Sequence, residues 1–320
     1  MEVVIIDSGY KSYDFEKQLF EKNGIGLKVF PSYDGLKQDK MEFARDADGI
    51  LVRHTRIDEE FLNGMKNLRA VVRYGVGYDN VDVEACSLHN IKVSNVQGYA
   101  NHSVSDHALA LMFTCSRALW NTKEQLLQNF GSPSSPDIFE LHDKTLGIIG
   151  LGRIGSEFCR KASPLFRKVY AADPYKPDNH FKNMGATRTS LDELLSESHV
   201  ISIHCNLTPE TRHLLNAGKF NLMKNRPVII NTSRGEVINE ADLLDALDSG
   251  LIHSAGLDVY ENEPVSAQNV KLLNHPRMIC TGHYAWYSDM AAEELQRRAA
   301  VNMLNFLQGN PVGDCLNCPD

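Results

Sequence analysis

The sequence predicts an α/β protein built on parallel sheets, and three observations carry that prediction. Short apolar runs of strand length alternate with helical segments along the whole chain, the order that produces parallel strands covered by helices on both faces. One of these runs, Leu146-Gly147-Ile148-Ile149, passes directly into Gly150-x-Gly152-x-x-Gly155 and then into a helical pattern. At 320 residues the chain is long enough for two domains that each bury a core.

In order, Val3 to Asp7 reads as a first strand that ends in an acidic, glycine-containing loop. Phe15, Leu19 and Phe20 form the apolar stripe of a helix, which Gly24 stops at its C′ position. Strands follow at 49–52, 69–73 and 92–95, so the first hundred residues make a small α/β domain of their own. The loop Arg73-Tyr-Gly-Val-Gly-Tyr-Asp-Asn-Val-Asp82 places two glycines directly after a strand, where consecutive backbone N–H groups form an anion cradle. Arg73 can add a charged partner for a carboxylate; a tight turn with Arg73 paired to a structural acid fits the same residues. A polar crossover spans 95–103. Ser103 to Leu119 then reads as a helix apolar almost all round, with Val104, Leu109, Leu111, Met112 and Phe113, buried in a core or against a partner subunit. Residues 131–136 read as a surface loop.

Each glycine of the central motif has a physical task. Gly150 allows the tight turn, Gly152 admits a pyrophosphate to the backbone, and Gly155 lets helix and strand pack closely. The phosphates then sit on free N–H groups at the positive end of the helix dipole. The context that the motif needs is present, because a second strand, Lys168–Ala172, follows and ends in Asp173. That acid lies about twenty residues past the glycines, where a carboxylate accepts from the ribose 2′-OH and repels a 2′-phosphate. A Rossmann-type domain binding NAD rather than NADP is the expectation. Beyond it, Ser190-x-x-Glu193 is a capping box, and strands are expected at 199–205, 228–233, 254–259 and 278–283. Asn239 caps a helix that runs through Ser249 and stops at Gly250. Leu295, Ala299, Met303 and Phe306 mark one face of a long final helix before Gly309.

Composition narrows the function classes. The net charge of −8 supplies no basic field to neutralise phosphates, which argues against a nucleic-acid partner. Hydrophobic and charged contents of 42% and 23% are ordinary for a globular protein. No apolar run approaches membrane-spanning length, and the start, MEVVIIDSGY, reads as a strand rather than a leader, so a cytoplasmic protein is expected. Seven scattered cysteines suggest reduced thiols. Cys315-x-x-Cys318 falls in a tail that reads as frayed rather than as a zinc or redox site, and no metal is expected.

In a doubly wound sheet, ligands bind beyond the carboxyl ends of the strands. Three strand ends carry ionisable groups: Asn231-Thr-Ser-Arg234-Gly, Asp258-Val-Tyr-Glu-Asn-Glu263-Pro and Thr281-Gly-His283-Tyr-Ala-Trp286. Each alone also fits a hydrogen-bonded histidine or a solvated turn. Together, GLGRIG, NTSRGEVINEADLLDAL, GLDVYENEP and CTGHYAWYS resemble the D-isomer-specific 2-hydroxyacid dehydrogenases. RYGVGYDNVD, SVSDHALAL and HCNLTPETRHLLN extend the likeness over nearly the whole chain. The AWYS segment looks most like the branch that contains the C-terminal binding proteins and their bacterial relatives.

The resemblance implies a bilobed enzyme. A Rossmann-type dinucleotide domain, residues 99–287, would be inserted into a smaller flavodoxin-like α/β substrate domain made of 1–98 and 288–320. Arg234, Glu263 and His283 would be the catalytic set. His283 would exchange a proton with the substrate oxygen, Glu263 would stabilise its imidazolium, and Arg234 would clamp the substrate carboxylate. Arg73 with the Val76 and Gly77 amides would hold that carboxylate from the other lobe, and lobe closure would exclude water. Trp286 would cap the substrate side chain, or else anchor the domain crossover. NAD would be held by Gly150, Gly152, Arg153, Ile154, Gly155, Asp173, Thr232 and Asp258, the last meeting the nicotinamide carboxamide. A homodimer is implied. Gly282 stands where the family usually has a proline, and Tyr284 where a smaller residue is common. The partner is expected to be a small 2-oxo or 2-hydroxy acid, with Trp286 and Tyr74 hinting at an apolar or thioether-bearing side chain. A second class, an NAD-sensing corepressor-like binding protein, fits the same branch, but the intact Arg234, Glu263 and His283 favour an enzyme. A formate dehydrogenase would need an amide in place of Glu263, and the L-isomer-specific enzymes pair their His with Asp.

Overall fold

The computed structural model describes residues 1–32, 34–119, 126–127 and 137–318; the expected loop at 131–136 lies outside them. The chain divides into two compact units, Met1–Tyr99 with Ser288–Asp320, and Ala100–Tyr287.

The first unit holds five parallel strands: β1 (Glu2–Ile5), β2 (Gly26–Val29), β3 (Gly49–Val52), β4 (Ala70–Arg73) and β5 (Lys92–Ser94). Their order is β2-β1-β3-β4-β5, the flavodoxin-like winding. Apart from Glu2 and Arg73 at their ends, the central strands β1, β3 and β4 are apolar and buried, as strands covered by helices on both faces must be. Edge strand β2 has no apolar run to announce it, since half of its side chains meet solvent. Helix α1 (Asp14–Lys22) corrects the expected stripe: Phe15 is 44% exposed, while Glu16 is fully buried with Phe20. Burial of that acid is tolerated because Glu16 Oε1 accepts from the Tyr74 hydroxyl at 3.1 Å and from Gln296 Nε2 at 2.9 Å. Leu295, Ala299, Met303 and Phe306 of the final helix, Asp289–Gln308, are all buried, and Gly309 ends it with φ +76°.

The tail is docked, not frayed. Leu316 N donates to Val93 O at 2.8 Å, and Asn317 Oδ1 accepts from Val93 N at 2.8 Å. Asp314 takes the Arg298 guanidinium at 2.6 Å. The reason is that β5 is a sheet edge whose outer backbone groups need partners. Cys315 and Cys318 form a disulfide, so the expectation of reduced thiols holds for the other five cysteines only.

The second unit holds seven parallel strands in the order β12-β11-β10-β9-β6-β7-β8. These are β6 (Thr145–Ile149), β7 (Lys168–Ala172), β8 (Thr187–Arg188), β9 (Val200–Ile203), β10 (Val228–Asn231), β11 (Ser254–Leu257) and β12 (Met278–Cys280). Strands β9 to β12 stop short of the apolar and polar runs that suggested them, because the following residues turn away into the candidate site. The two-residue edge strand β8 carries no sequence signal. The nearly all-apolar helix runs over Asn101–Ser116 and buries Val104, Ala108, Leu111, Met112 and Cys115 inside this unit; Phe113 is 40% exposed. At the capping box, Ser190 Oγ accepts from Glu193 N at 3.2 Å, whereas the Glu193 carboxylate takes the Thr189 hydroxyl. Asn239 caps its helix as expected, accepting from Asp242 N at 3.0 Å. Among the described residues, no helix is long and apolar enough to cross a membrane, and no three acidic, histidine or cysteine residues group as metal ligands.

Candidate active site

In the second unit the strand order reverses between β6 and β9, which opens a crevice at their carboxyl ends. The glycine turn after β6 lies there. Gly150 has φ +88°, and a Cβ on it would stand 2.6 Å from Cys205 N. A Cβ on Gly155 would stand 2.1 Å from Gly150 O, so helix Arg153–Ala162 reaches the strand only because that side chain is missing. Gly152 is the opposite case: nothing lies within 4 Å of its Cβ position, and it caps the helix without a side chain. Arg153 and Ile154 open the first turn of this helix, the end of the dipole that favours an anion.

Asp173, just after β7, is tied to this turn. Its Oδ2 accepts from Leu151 N at 2.8 Å and its Oδ1 from Tyr175 N at 2.9 Å. Thr232, just beyond β10, is 9% exposed, and its buried hydroxyl oxygen has no hydrogen-bond partner. A glycine turn at a helix N-terminus and an orphaned hydroxyl fit a dinucleotide pyrophosphate. His204 packs beneath, its ring centroid 4.9 Å from that of Phe158, and burial pushes its imidazole down to about 3, so it is neutral filler.

The Arg234, Glu263 and His283 segments occupy neighbouring strand ends. Asn231 builds the arginine turn: its Oδ1 accepts from Ser233 N and Oγ at 3.0 and 2.9 Å, and its Nδ2 donates to Arg234 O at 2.9 Å. A Cβ on Gly235 would fall 1.9 Å from the Tyr260 carbonyl carbon, so this turn lies directly on the segment that carries Glu263. Glu263 Oε1 accepts from Tyr260 N at 2.9 Å, and Oε2 lies 2.5 Å from His283 Nδ1. Burial pushes the Glu263 carboxyl up, but the bond and charge of His283, the Tyr260 amide and the Arg234 charge together hold it below the usual range. The His283 side chain is 42% exposed. With Nδ1 engaged, Nε2 is the nitrogen left for a ligand.

Asp258 is 1% exposed, and its carboxylate is already loaded. Oδ1 accepts from Thr281 Oγ1 at 2.6 Å and Tyr284 N at 3.1 Å, and Oδ2 from Ala285 N at 2.8 Å. Its chief visible task is therefore to hold the His283 loop. Trp286 meets the Tyr287 ring edge-on at 5.5 Å.

In the first unit, Arg73 ends β4 and its guanidinium folds over Gly75, which has φ +140°. Val96 N donates to Gly75 O at 2.9 Å and Asn95 Nδ2 to Val76 O at 2.6 Å, fixing the loop that carries Val76 and Gly77. Sequence reasoning missed Arg53, whose guanidinium lies 4.8 Å above the Tyr10 ring centroid. It follows β3, and β1 and β3 flank the point where this sheet reverses its order. Strand order was the signal, and it is not written in any local pattern. Asp7 anchors this corner: Oδ2 accepts from the amides of Arg53, His54 and Thr55 at 2.8, 2.8 and 3.0 Å, and Oδ1 meets Lys40 Nζ at 2.7 Å and Thr55 Oγ1 at 2.6 Å.

Comparison with known proteins fits this geometry. Residues 109–285 match the family model described as D-isomer specific 2-hydroxyacid dehydrogenase, NAD binding domain. The chain is 36% identical over 274 residues to a hydroxypyruvate reductase of Blautia hydrogenotrophica, covering 83% of this chain and 84% of that protein. It is 32% identical over 299 residues to a D-3-phosphoglycerate dehydrogenase of Archaeoglobus fulgidus, covering 93% of this chain and 56% of that protein. It spans little more than half the length of the D-3-phosphoglycerate dehydrogenases it matches. Its fold is similar to that of a D-lactate dehydrogenase from Aquifex aeolicus complexed with NAD and lactic acid, with a TM-score of 0.89, 28% identity and 100% of each chain covered. The chain belongs to the D-isomer specific 2-hydroxyacid dehydrogenase family, and its NAD-binding domain lies in the unit with the seven-stranded sheet.

Proposed function

We propose that this protein interconverts a 2-oxo acid and a D-2-hydroxy acid with NAD. The observation that carries the proposal is the 2.5 Å contact of Glu263 with His283 Nδ1, beside the charge of Arg234. When bound, the cofactor would supply the hydride as NADH in reduction or take it up as NAD+ in oxidation. His283 Nε2 gives a proton to the carbonyl oxygen during reduction and takes it back during oxidation. Glu263 fixes the ring's orientation and stabilises the imidazolium. Arg234 binds the substrate carboxylate and polarises the carbonyl. In the first unit, which we assign to substrate binding, Arg73 and the Val76 and Gly77 amides supply a cation and two donors suited to a carboxylate. Arg53 adds a cation suited to a further oxygen-bearing group on the acid. Trp286 is assigned to the substrate side chain.

Gly150, Gly152, Arg153, Ile154 and Gly155 would hold the pyrophosphate, Asp173 the ribose, and Thr232 the cofactor beyond it. Asp258 is assigned to cofactor through the loop it holds. The AWYS segment supports placement near the C-terminal binding protein branch, although the relatives named above carry other activities. A homodimer belongs to the same proposal, supported by the exposure of Phe113, and light scattering that returns a monomeric mass refutes it. A cytoplasmic setting is proposed from family and composition.

The test is a panel of hydroxypyruvate, glyoxylate, pyruvate and 2-oxoisocaproate with NADH, followed by chiral separation of the product for all but glyoxylate, whose product is achiral. Turnover to a D-hydroxy acid is expected. Tight NADH binding with no turnover of any acid would instead favour an NAD-sensing binding protein.

A further inference from the structure

We propose that His107 is a positioning residue for His283, acting through Thr281 and Asp258; this builds on the role of His283 proposed above. His107 lies on helix Asn101–Ser116, far along the chain from the loop it touches. Its Nε2 is 2.9 Å from Thr281 Oγ1 and 3.6 Å from Asp258 Oδ1, and its ring meets Tyr284 edge-on at 5.2 Å.

The direction of each bond follows from donor capacity. The Asp258 carboxylate only accepts, so the single hydroxyl proton of Thr281 goes to Oδ1 across 2.6 Å. A lone pair of Thr281 then faces His107, and Nε2 of His107 carries the hydrogen that meets it. The result is a chain from the His107 N–H through the Thr281 hydroxyl to Asp258, which also gathers the amides of Tyr284 and Ala285. Residues 281, 284 and 285 bracket His283, whose own amide donates to Asp258 O at 2.8 Å.

The bracket matters because His283 has φ +53°, a conformation that a residue with a side chain keeps only when its surroundings over-determine it. Gly282 adds no constraint, since nothing lies within 4 Å of its Cβ position and glycine leaves φ free. The side-chain network supplies the stiffness that aims the imidazole at its Glu263 partner.

Two substitutions separate the N–H from the ring. His107→Phe keeps an aromatic edge against Tyr284 and removes the donor, whereas His107→Gln restores a donor. In His107→Phe, single-turnover reduction by NADH of the fastest acid among hydroxypyruvate, glyoxylate, pyruvate and 2-oxoisocaproate should slow by about 10- to 100-fold. KM for the acid and for NADH should stay within about twofold, because no ligand contact is removed. Deuterium exchange of the Tyr284 and Ala285 amides should accelerate. His107→Gln should recover most of both effects, and Thr281→Val, which cuts the chain at its middle, should reproduce the His107→Phe pattern if that variant folds poorly. Unchanged exchange at 284 and 285 overturns the positioning role, as does a rate loss that lies wholly in KM. An unmodified protein that reduces no 2-oxo acid would sink the dehydrogenase reading, while the exchange measurement would still decide what His107 does.

Discussion

Replacing Asp7 with Asn tests how the corner that carries Arg53 is held. The carboxylate is 1% exposed and takes three consecutive amides, the Thr55 hydroxyl and Lys40. Burial pushes its carboxyl up, but Lys40, the Thr55 hydroxyl and the amides outweigh burial and bring it from 3.8 down to about 2. A group with a depressed value stabilises the fold above its unfolded pKa, and that contribution disappears as pH falls through the folded one. The difference is worth about 2 kcal/mol at neutral pH, and about half of it remains at pH 3. Asn also removes the charge that Lys40, 5% exposed, meets at 2.7 Å, so the total loss at neutral pH should reach about 3–5 kcal/mol. Urea unfolding of both proteins at pH 7 and pH 3, followed by circular dichroism, reads this directly. The gap between them should narrow by about 1 kcal/mol on acidification. A loss below about 1 kcal/mol at pH 7, or a gap that does not shrink in acid, would refute the assignment of Asp7 as an ionised, load-sharing anchor.

Three further outcomes follow from named contacts. Gly155→Ala should cost about 1–3 kcal/mol and weaken NADH binding, because the new methyl meets the Gly150 carbonyl; an unchanged dissociation constant by fluorescence titration would show the turn is not the cofactor cradle. Glu263→Gln should lower kcat and flatten the acidic side of the rate profile, because the native carboxylate stays ionised to lower pH than usual and its support for His283 is lost only below that point. An acidic limb identical in both proteins would contradict it. Reducing Cys315–Cys318 should remove about 2 kcal/mol of local stability from the tail and speed deuterium exchange at Val93, and identical exchange with and without a reductant would count against the clasp.

Much of the fold is legible because a strand buried on both faces is built from apolar runs, as at Gly49–Val52, Leu146-Gly147-Ile148-Ile149 and Val228-Ile229-Ile230. The glycine turn is legible for a related reason: its spacing encodes backbone contacts that any side chain would block. Edge strands β2 and β8 are not legible, since exposure removes their apolar signature. Phe15 looks like core and Glu16 like surface until Tyr74 and Gln296, distant in sequence, supply partners for the acid. Arg53 and His107 escape for the same reason. Arg53 gains its place from strand order, and His107 from a helix that lands on the loop after β12.

The central claim is that the His283 imidazole moves the proton. Initial rates of NADH oxidation by a 2-oxo acid, measured across pH for the unmodified protein and His283→Gln, test it most directly. The unmodified protein should lose rate as pH rises and the imidazolium is lost, and His283→Gln should be slower by about 10²- to 10⁴-fold while binding NADH as before. A glutamine variant that retains full activity, with a flat profile in both proteins, would contradict the account.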